Sequence, residues 1–275
     1  MRVAYEQAVE ELRIPPPSVQ PNLWENFNRL TGGLREKEFS IVCAPTGCGK
    51  TEWLASLSKQ LLTQRIRHFV MSVETGHTDW VKRVMSGLAG LDLNTGEAVS
   101  VPVIADVTTR FAPLIVEDIL RLSLYDNRVP LQTLIADLTV MANEGCKVAI
   151  LDNLNFFLEI VRASDSIIEM DRVVHELIMF CKRSTMHVIL VMHPRKTLDG
   201  RVESEFDVKG SSTAVQEAQN VFLFNRPKKE DLEARIRDPF CRELKLAKMR
   251  RRGRFVGSTV VFRYRDGQYI EEGIG

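Results

Sequence analysis

The stretch VCAPTGCGKTEW, Val42–Trp53, narrows the possible folds of this chain more than any other. Before it runs FSIVCA, residues 39–44, a continuous β-prone apolar segment. After it, Trp53, Leu54, Leu57 and Leu61 recur at helical spacing. A buried strand followed at once by an amphipathic helix forces a sharp turn, and Gly47 and Gly49 supply the backbone freedom for it. Such a turn converges backbone N–H groups on one point at a helix N-terminus, whose partial positive charge attracts anions.

Residues Ala44-Pro45-Thr46-Gly47-Cys48-Gly49-Lys50-Thr51 fit the Walker A pattern with alanine in place of its first glycine. In that pattern Pro45, Thr46, Gly47, Cys48 and Gly49 wrap the phosphates of a nucleotide. Lys50 reaches the β and γ phosphates, and the Thr51 hydroxyl holds Mg²⁺. Cys48 is either an alkylation-sensitive thiol, if the loop amides lower its pKa, or a small filler.

Strand-like and helix-like segments go on alternating. HFVMSV (68–73) precedes a helix with the stripe Trp80, Val81, Val84, Met85 and Leu88. Leu131, Leu134, Ile135, Leu138 and Met141 mark another helix, ended by Gly145, before the strand KVAILD (147–152). A helix over 166–183 leads into HVILVM (187–192), and VFLFN (221–225), LKLAK (244–248) and TVVFRY (259–264) are later β-prone runs. Strands that are apolar throughout, separated by amphipathic helices, describe an α/β domain with a mostly parallel central sheet covered on both faces.

Ahead of this domain, VAYEQAVEELR (3–13) reads as a short helix and IPPPSVQPN as an extended proline-rich linker. Residues 1–22 are therefore read as an arm and 23–275 as the domain. The arm packs either on its own domain or on a neighbouring subunit.

Two carboxylates close buried strands. KVAILD ends in Asp152, the Walker B arrangement, in which the acid reaches the Mg²⁺ shell at the carboxyl edge of the sheet. HFVMSV is followed by Glu74, which reads either as the acceptor of a proton from an attacking water or as an acid in a helix N-cap region.

Composition excludes more than it assigns. A formal net charge of +1 gives no global field for polyanions, so nucleic acid would have to be held by local basic clusters such as Lys245–Arg254. Five cysteines without CxxC or Cys/His spacing argue against a zinc site or a disulfide framework and for a reducing setting, cytoplasmic, in a phage host's cytoplasm or in an organellar matrix. No signal-like h-region and no long apolar window are present, so neither export nor a membrane span is expected.

The order of phosphate loop, strand with Glu74, strand with Asp152 and strand ending in a polar residue resembles the RecA-like ATPases. FNRLTGGLREKEFSIVCAPTGCGKT resembles the entry to the motor domain of DnaB-family replicative helicases. AILDNLNFF, VMHPRK and KGSSTAVQEAQNVFLF are most similar to the Twinkle and phage primase-helicase branch. LKLAKMRRRGRFVGSTVVF resembles the last motif of the family, and the likeness runs over about residues 24–270.

The resemblance implies a RecA-like core and a hexameric ring whose sites form between subunits. It implies Glu74 as catalytic base, His193 as sensor of the γ phosphate, Gln216 as the link from sensor to DNA, and Lys248 and Arg250 as fingers entering the neighbouring subunit's site. Arg226 and Tyr264 match the positions that sandwich the base, although Tyr264 alternates with Phe262 and equally fits a core position. Single-stranded DNA would be held by two loops: one near 160–167 with Arg162, the other near 196–213 with Lys196, Arg201, Lys209 and Gly210. Glu203, Glu205 and Asp207 dilute the charge of the second loop.

The implied cofactors are ATP or dTTP with Mg²⁺, the implied direction 5′ to 3′, and the implied partners a primase and a polymerase acting in trans. The chain reads as the motor alone, without primase half, zinc ribbon or helical collar. The alternatives are a filament-forming RecA-like recombinase and a non-hydrolysing scaffold or helicase loader.

Overall fold

The computed structural model describes residues 5–6, 9–10, 13–14, 17–72, 74–123, 129–153, 166–195, 201–209, 212–227 and 238–275. A two-stranded ribbon, β1 (Ser18–Val19) with β2 (Leu34–Arg35), brackets helix α1 (Glu25–Thr31). The main sheet then builds from β3 (Phe39–Cys43), β4 (His68–Ser72), β5 (Leu120–Leu122), β6 (Val148–Asp152), β7 (His187–Met192) and β8 (Asn220–Asn225). An antiparallel extension follows: β9 (Cys241–Met249), β10 (Thr259–Arg265) and β11 (Gln268–Ile274). The order across the nine strands is β11-β10-β9-β8-β3-β7-β6-β4-β5, and β8 through β5 are parallel.

The parallel strands are crossed by helices α2 (Lys50–Thr63), α3 (His77–Ala89), α4 (Val101–Val116), α5 (Leu131–Asn143), α6 (Ser166–Arg183) and α7 (Ser212–Glu217). Strand periodicity assigns each side chain to one of two cores. On β3, Phe39, Ile41 and Cys43 enter one core, while Val42 and the following Ala44 enter the other. On β8, Val221 and Leu223 separate from Phe222 and Phe224 in the same way. Burial on both faces is why these strands read as unbroken apolar runs.

One core is aromatic. Trp24 stacks on Trp53 of α2 at 4.9 Å between ring centroids, and Phe27, Phe222, Phe224 and Phe262 close around them. The Trp24 indole N–H donates to the Tyr269 carbonyl, which fastens the chain entering α1 to the last strand. Each of these ring pairs adds about 0.5–1.5 kcal/mol beyond the area it buries.

Ser18 and Val19 already pair with Arg35 and Leu34, so contact with the main body begins inside the proline-rich stretch. Of the arm, Tyr5, Glu6, Val9, Glu10 and Arg13 are helical, and Tyr5 and Ile14 are exposed. All five cysteines are buried free thiols. Among the described residues no helix is long and apolar enough to cross a membrane.

Candidate active site

Because β3, β4, β6, β7 and β8 are parallel and nearly in register, their last residues share one edge. Cys43 is paired with Met192 and Leu223, and Ser72 with Asp152. The segments leaving that edge carry the phosphate loop, Glu74, Asp152, His193 and Arg226. A crevice outside the carboxyl ends of parallel strands is where open α/β sheets bind ligands.

In the loop Gly47 and Gly49 have φ of 71° and 92°, a region that disfavours side chains. Gly49 also has no room: a Cβ there would lie 2.5 Å from the Tyr269 hydroxyl oxygen. Helix α2 starts directly after it, so the first-turn N–H groups face the turn.

Lys50 is buried, with Nζ 3.2 Å from Glu74 Oε2 and 3.4 Å from Asp152 Oδ1. The Thr51 hydroxyl donates to Asp152 Oδ2 at 3.2 Å. Asp152 is fully buried, and burial raises its pKa, with Lys50 opposing the shift. Its Oδ1 meets, among the described residues, only the Lys50 ammonium, in an ion pair without a hydrogen bond, and a buried carboxylate beside a threonine hydroxyl suits a hydrated divalent cation. Among the described residues no group of three His, Cys, Asp or Glu side chains could hold a metal alone. Thr51 and Asp152 would therefore hold Mg²⁺ together with phosphate oxygens and water.

Asn153, which sequence reasoning did not single out, joins two candidate residues. Its amide nitrogen donates to Glu74 Oε2 at 2.8 Å and lies 3.0 Å from His193 Nε2. The amide can donate twice, so the bond to His193 requires an unprotonated Nε2. Burial first, and Lys50 second, lower the His193 pKa and favour that neutral form. The signal for Asn153 was its place directly after the strand-end acid.

Behind the loop stand arginines. Arg226 Nη2 donates to the Gly47 carbonyl at 3.1 Å, and the buried Arg242 donates through Nε to the Cys48 carbonyl at 2.5 Å. Arg242 and Tyr269, both from the antiparallel extension, were not anticipated. Cys48 is buried and its thiol lies 3.5 Å from the Phe224 carbonyl; burial raises its pKa against the pull of Arg242, which is the filler role. Tyr264 is half-buried, its hydroxyl donating to Asp92 at 3.2 Å and its ring edge-on to Tyr269 at 5.3 Å.

Lys248 and Arg250 lie near the opposite end of β9 from Arg242. Lys248 Nζ donates to the carbonyls of Val215 and Gln216, at 2.8 and 2.5 Å, and Arg250 Nη2 to that of Gln216 at 2.7 Å. Beside them a cavity of about 340 Å³ is lined by Arg195, Phe206, Gln216 and Lys248, among others. Arg201 is matched by Glu203 and Glu243 and donates to the Arg226 carbonyl. Lys209 is tied by its backbone N–H to the His193 carbonyl. Arg162, Lys196 and Gly210, and most of the first expected DNA loop, lie outside the described residues.

Asn220 sits in a buried network, donating to Glu38 at 3.2 Å and Ser40 at 3.1 Å, far from the phosphate edge.

The fold recurs in known proteins. Residues 18–199 match the family described as AAA domain. The fold is similar to a DnaB-like replicative helicase solved in a study of its interactions with primase, with TM-score 0.78 and 15% identity over 98% of this chain. This chain spans 66% of that protein's length. It is also similar to a second solved structure, that of an isolated ATPase domain, with TM-score 0.80 and 14% identity over 98% of both chains. At these identities the likeness is one of fold, the RecA-like ATPase architecture with its mostly parallel nine-stranded sheet. On the match over 18–199, the chain belongs to the AAA domain family of proteins.

Proposed function

We propose that this chain is the motor of a DnaB-type replicative helicase, a ring, six-membered by resemblance, that hydrolyses ATP or dTTP to move along single-stranded DNA and part a duplex. The observation that carries this reading is the contact between Lys50, Glu74, Asn153 and His193, which joins a phosphate-binding lysine to a carboxylate and onward to a histidine bonded to the second loop.

In this reading the loop amides and Lys50 bind the phosphates. A phosphate entering the loop competes with Glu74 for Lys50, and the released carboxylate accepts a proton from the attacking water. Thr51 and Asp152 would hold Mg²⁺, which when bound would supply neutralisation of the phosphate charge. His193 reports the γ phosphate through its backbone bond to Lys209, and through Gln216, whose carbonyl holds Lys248 and Arg250. Those two cations bond to Gln216 and not to their own phosphate loop, which suits fingers that act on the neighbouring subunit's nucleotide.

Arg226 and Tyr264 flank the base. Arg201 and Lys209 follow the DNA backbone with Arg162, Lys196 and Gly210. Residues 1–22 serve as the strap to the next subunit, and the exposed Val101, Ile104, Ile115 and Val116 of α4 offer it an apolar seat. The setting is cytoplasmic, with primase and polymerase as partners in trans.

Strand separation on forked DNA with either a 5′ or a 3′ tail, run with ATP and with dTTP, tests the proposal. Unwinding that requires the 5′ tail is expected. Hydrolysis without unwinding on either fork, with extended filaments in negative stain, would transfer the chain to the recombinases.

A further inference from the structure

At the amino edge of the sheet, behind the start of β3, lies a second polar cavity of about 820 Å³. The five residues of β3 put roughly 16 Å between this edge and the phosphate loop, so the two are separate. Its wall carries Arg29, Arg35 and Arg252 with Gln20, Asn22 and Asn28, and among the described residues no apolar side chain.

The guanidinium groups crowd one another. A Cβ on Gly32, which has φ of 79°, would overlap Arg35 Nη2 and come within 2.9 Å of Arg252 Nε. The wall thus needs glycine at this point, both for its backbone and for the two arginines above it.

Among the described residues the charges there are not balanced. Arg35 and Arg251 share Glu38, at 3.7 and 3.1 Å, and Glu25 is the acid on the wall. Arg252 donates to the Arg29 carbonyl at 2.6 Å and Arg29 to Asn26 at 2.8 Å, and among the described residues neither has a carboxylate partner. Burial lowers the Arg35 pKa, and Arg252 and Arg251 add to the drop against the opposing effect of Glu38. On the same wall Asn28 Oδ1 is buried without a donor, while its amide nitrogen is held by the Pro21 carbonyl.

We propose that this cavity is a second oxyanion site, which takes a phosphate group on the Arg29, Arg35 and Arg252 guanidinium groups, with the neighbouring amides meeting the rest of the ligand. Guanidinium forks match tetrahedral oxyanions with paired hydrogen bonds. A docked protein segment would bury apolar side chains against its site, and among the described residues this wall is lined by polar and charged side chains and one glycine.

The phosphate has two candidate sources, a free polyphosphate or nucleotide and the backbone of a strand, and one experiment separates them. The full chain carrying Lys50→Ala, which disables the phosphate loop, is titrated with pyrophosphate and separately with a ten-residue oligothymidylate. The titrations are repeated with Arg29→Gln and Arg252→Gln added. Both arginines lie toward the surface, and unfolding curves check that the variants remain folded. At least a tenfold weakening of pyrophosphate binding assigns the site to free polyphosphates. The same weakening for the oligonucleotide alone, with a smaller salt dependence, assigns it to a strand. Equal binding of both probes with and without the arginines, or no binding of either in the Lys50→Ala background, overturns the proposal. A change in oligomeric state without a change in binding overturns it in favour of a contact between copies of the chain.

Discussion

The backbone N–H of Lys209 donates to the carbonyl of His193 at 3.0 Å. Pro194 and Val208 form a bridge beside it, and the Arg195 N–H donates to the Asp207 carbonyl at 2.7 Å. The end of β7 and the returning part of the second loop are thus one small antiparallel unit. A shift of His193 moves Lys209, whatever side chain stands at 209. Lys209→Ala removes a charge and leaves that bond in place. It is expected to lower DNA-stimulated hydrolysis several-fold more than DNA-independent hydrolysis, measured as phosphate release with and without oligonucleotide. An equal loss of both would count against the loop as a DNA contact.

Lys50 is the buried cation shared by Glu74 and Asp152, and removing it leaves a fully buried carboxylate beside another acid. Lys50→Ala should abolish nucleotide binding and hydrolysis together. Glu74→Gln keeps the Asn153 contact possible and removes the proposed base, so it should bind nucleotide and fail to hydrolyse it, with a loss of at least about a hundredfold. Turnover near wild type in either variant refutes the site.

Arg250→Ala should bind nucleotide normally and lose hydrolysis by about a thousandfold, the order for a phosphoryl-transfer finger. In the proposed trans arrangement, mixing variant and wild-type chains should depress activity in a non-additive way. Normal hydrolysis by dilute Arg250→Ala monomers would end the trans assignment.

Gly49→Ala combines a left-handed backbone with a clash, the Cβ lying 2.5 Å from the Tyr269 hydroxyl. About 1–3 kcal/mol of destabilisation is expected, with nucleotide affinity falling in parallel. Adding Tyr269→Phe removes the clashing oxygen and should recover part of the loss. Gly47→Ala meets nothing within 4 Å and should carry only the backbone strain. Unfolding curves and nucleotide titrations of these variants separate the two effects.

His68 and His187 are buried at the starts of β4 and β7, each between a backbone carbonyl on Nδ1 and a serine hydroxyl on Nε2. Burial holds both pKa values at about 4, against an ordinary 6.5. The unfolded chain takes up two protons near pH 6.5 that the native chain refuses. Their contribution to stability is therefore complete above pH 6.5 and is lost as the pH falls towards 4. At pH 5 the loss is about 2 kcal/mol for each histidine. Urea unfolding at about pH 7 and pH 5 should show it, and His68→Gln with His187→Gln should flatten the difference.

What the sequence disclosed follows from the range of the interactions. Strands β3, β4, β6, β7 and β8 could be read because burial on both faces leaves an unbroken apolar run, and α2 and α3 because Trp53 and Trp80 recur with their stripes. Strand β5 is three residues long, and β11, QYIEEGI, is half polar, so neither carried a legible pattern. Helix α4 was passed over, since its exposed Val101, Ile104, Ile115 and Val116 spread apolar residues beyond one face. In the site, Lys50, Thr51, Glu74 and Asp152 were legible as strand-end and loop positions. Arg242 and Tyr269 were not, because each reaches the loop from far along the chain, where only the pairing of β9, β10 and β11 with the sheet brings it.

Strand β9 has Arg242 at one end, gripping the chain's own phosphate loop, and Lys248 with Arg250 at the other. The extended chain from Arg242 to Arg250 spans about 26 Å. In the proposed ring, with Arg250 serving the next subunit's nucleotide, that length would set the distance between the loop a chain grips and the site its finger reaches. Lengthening or shortening it by a pair of residues would change that distance without altering a residue of the phosphate loop.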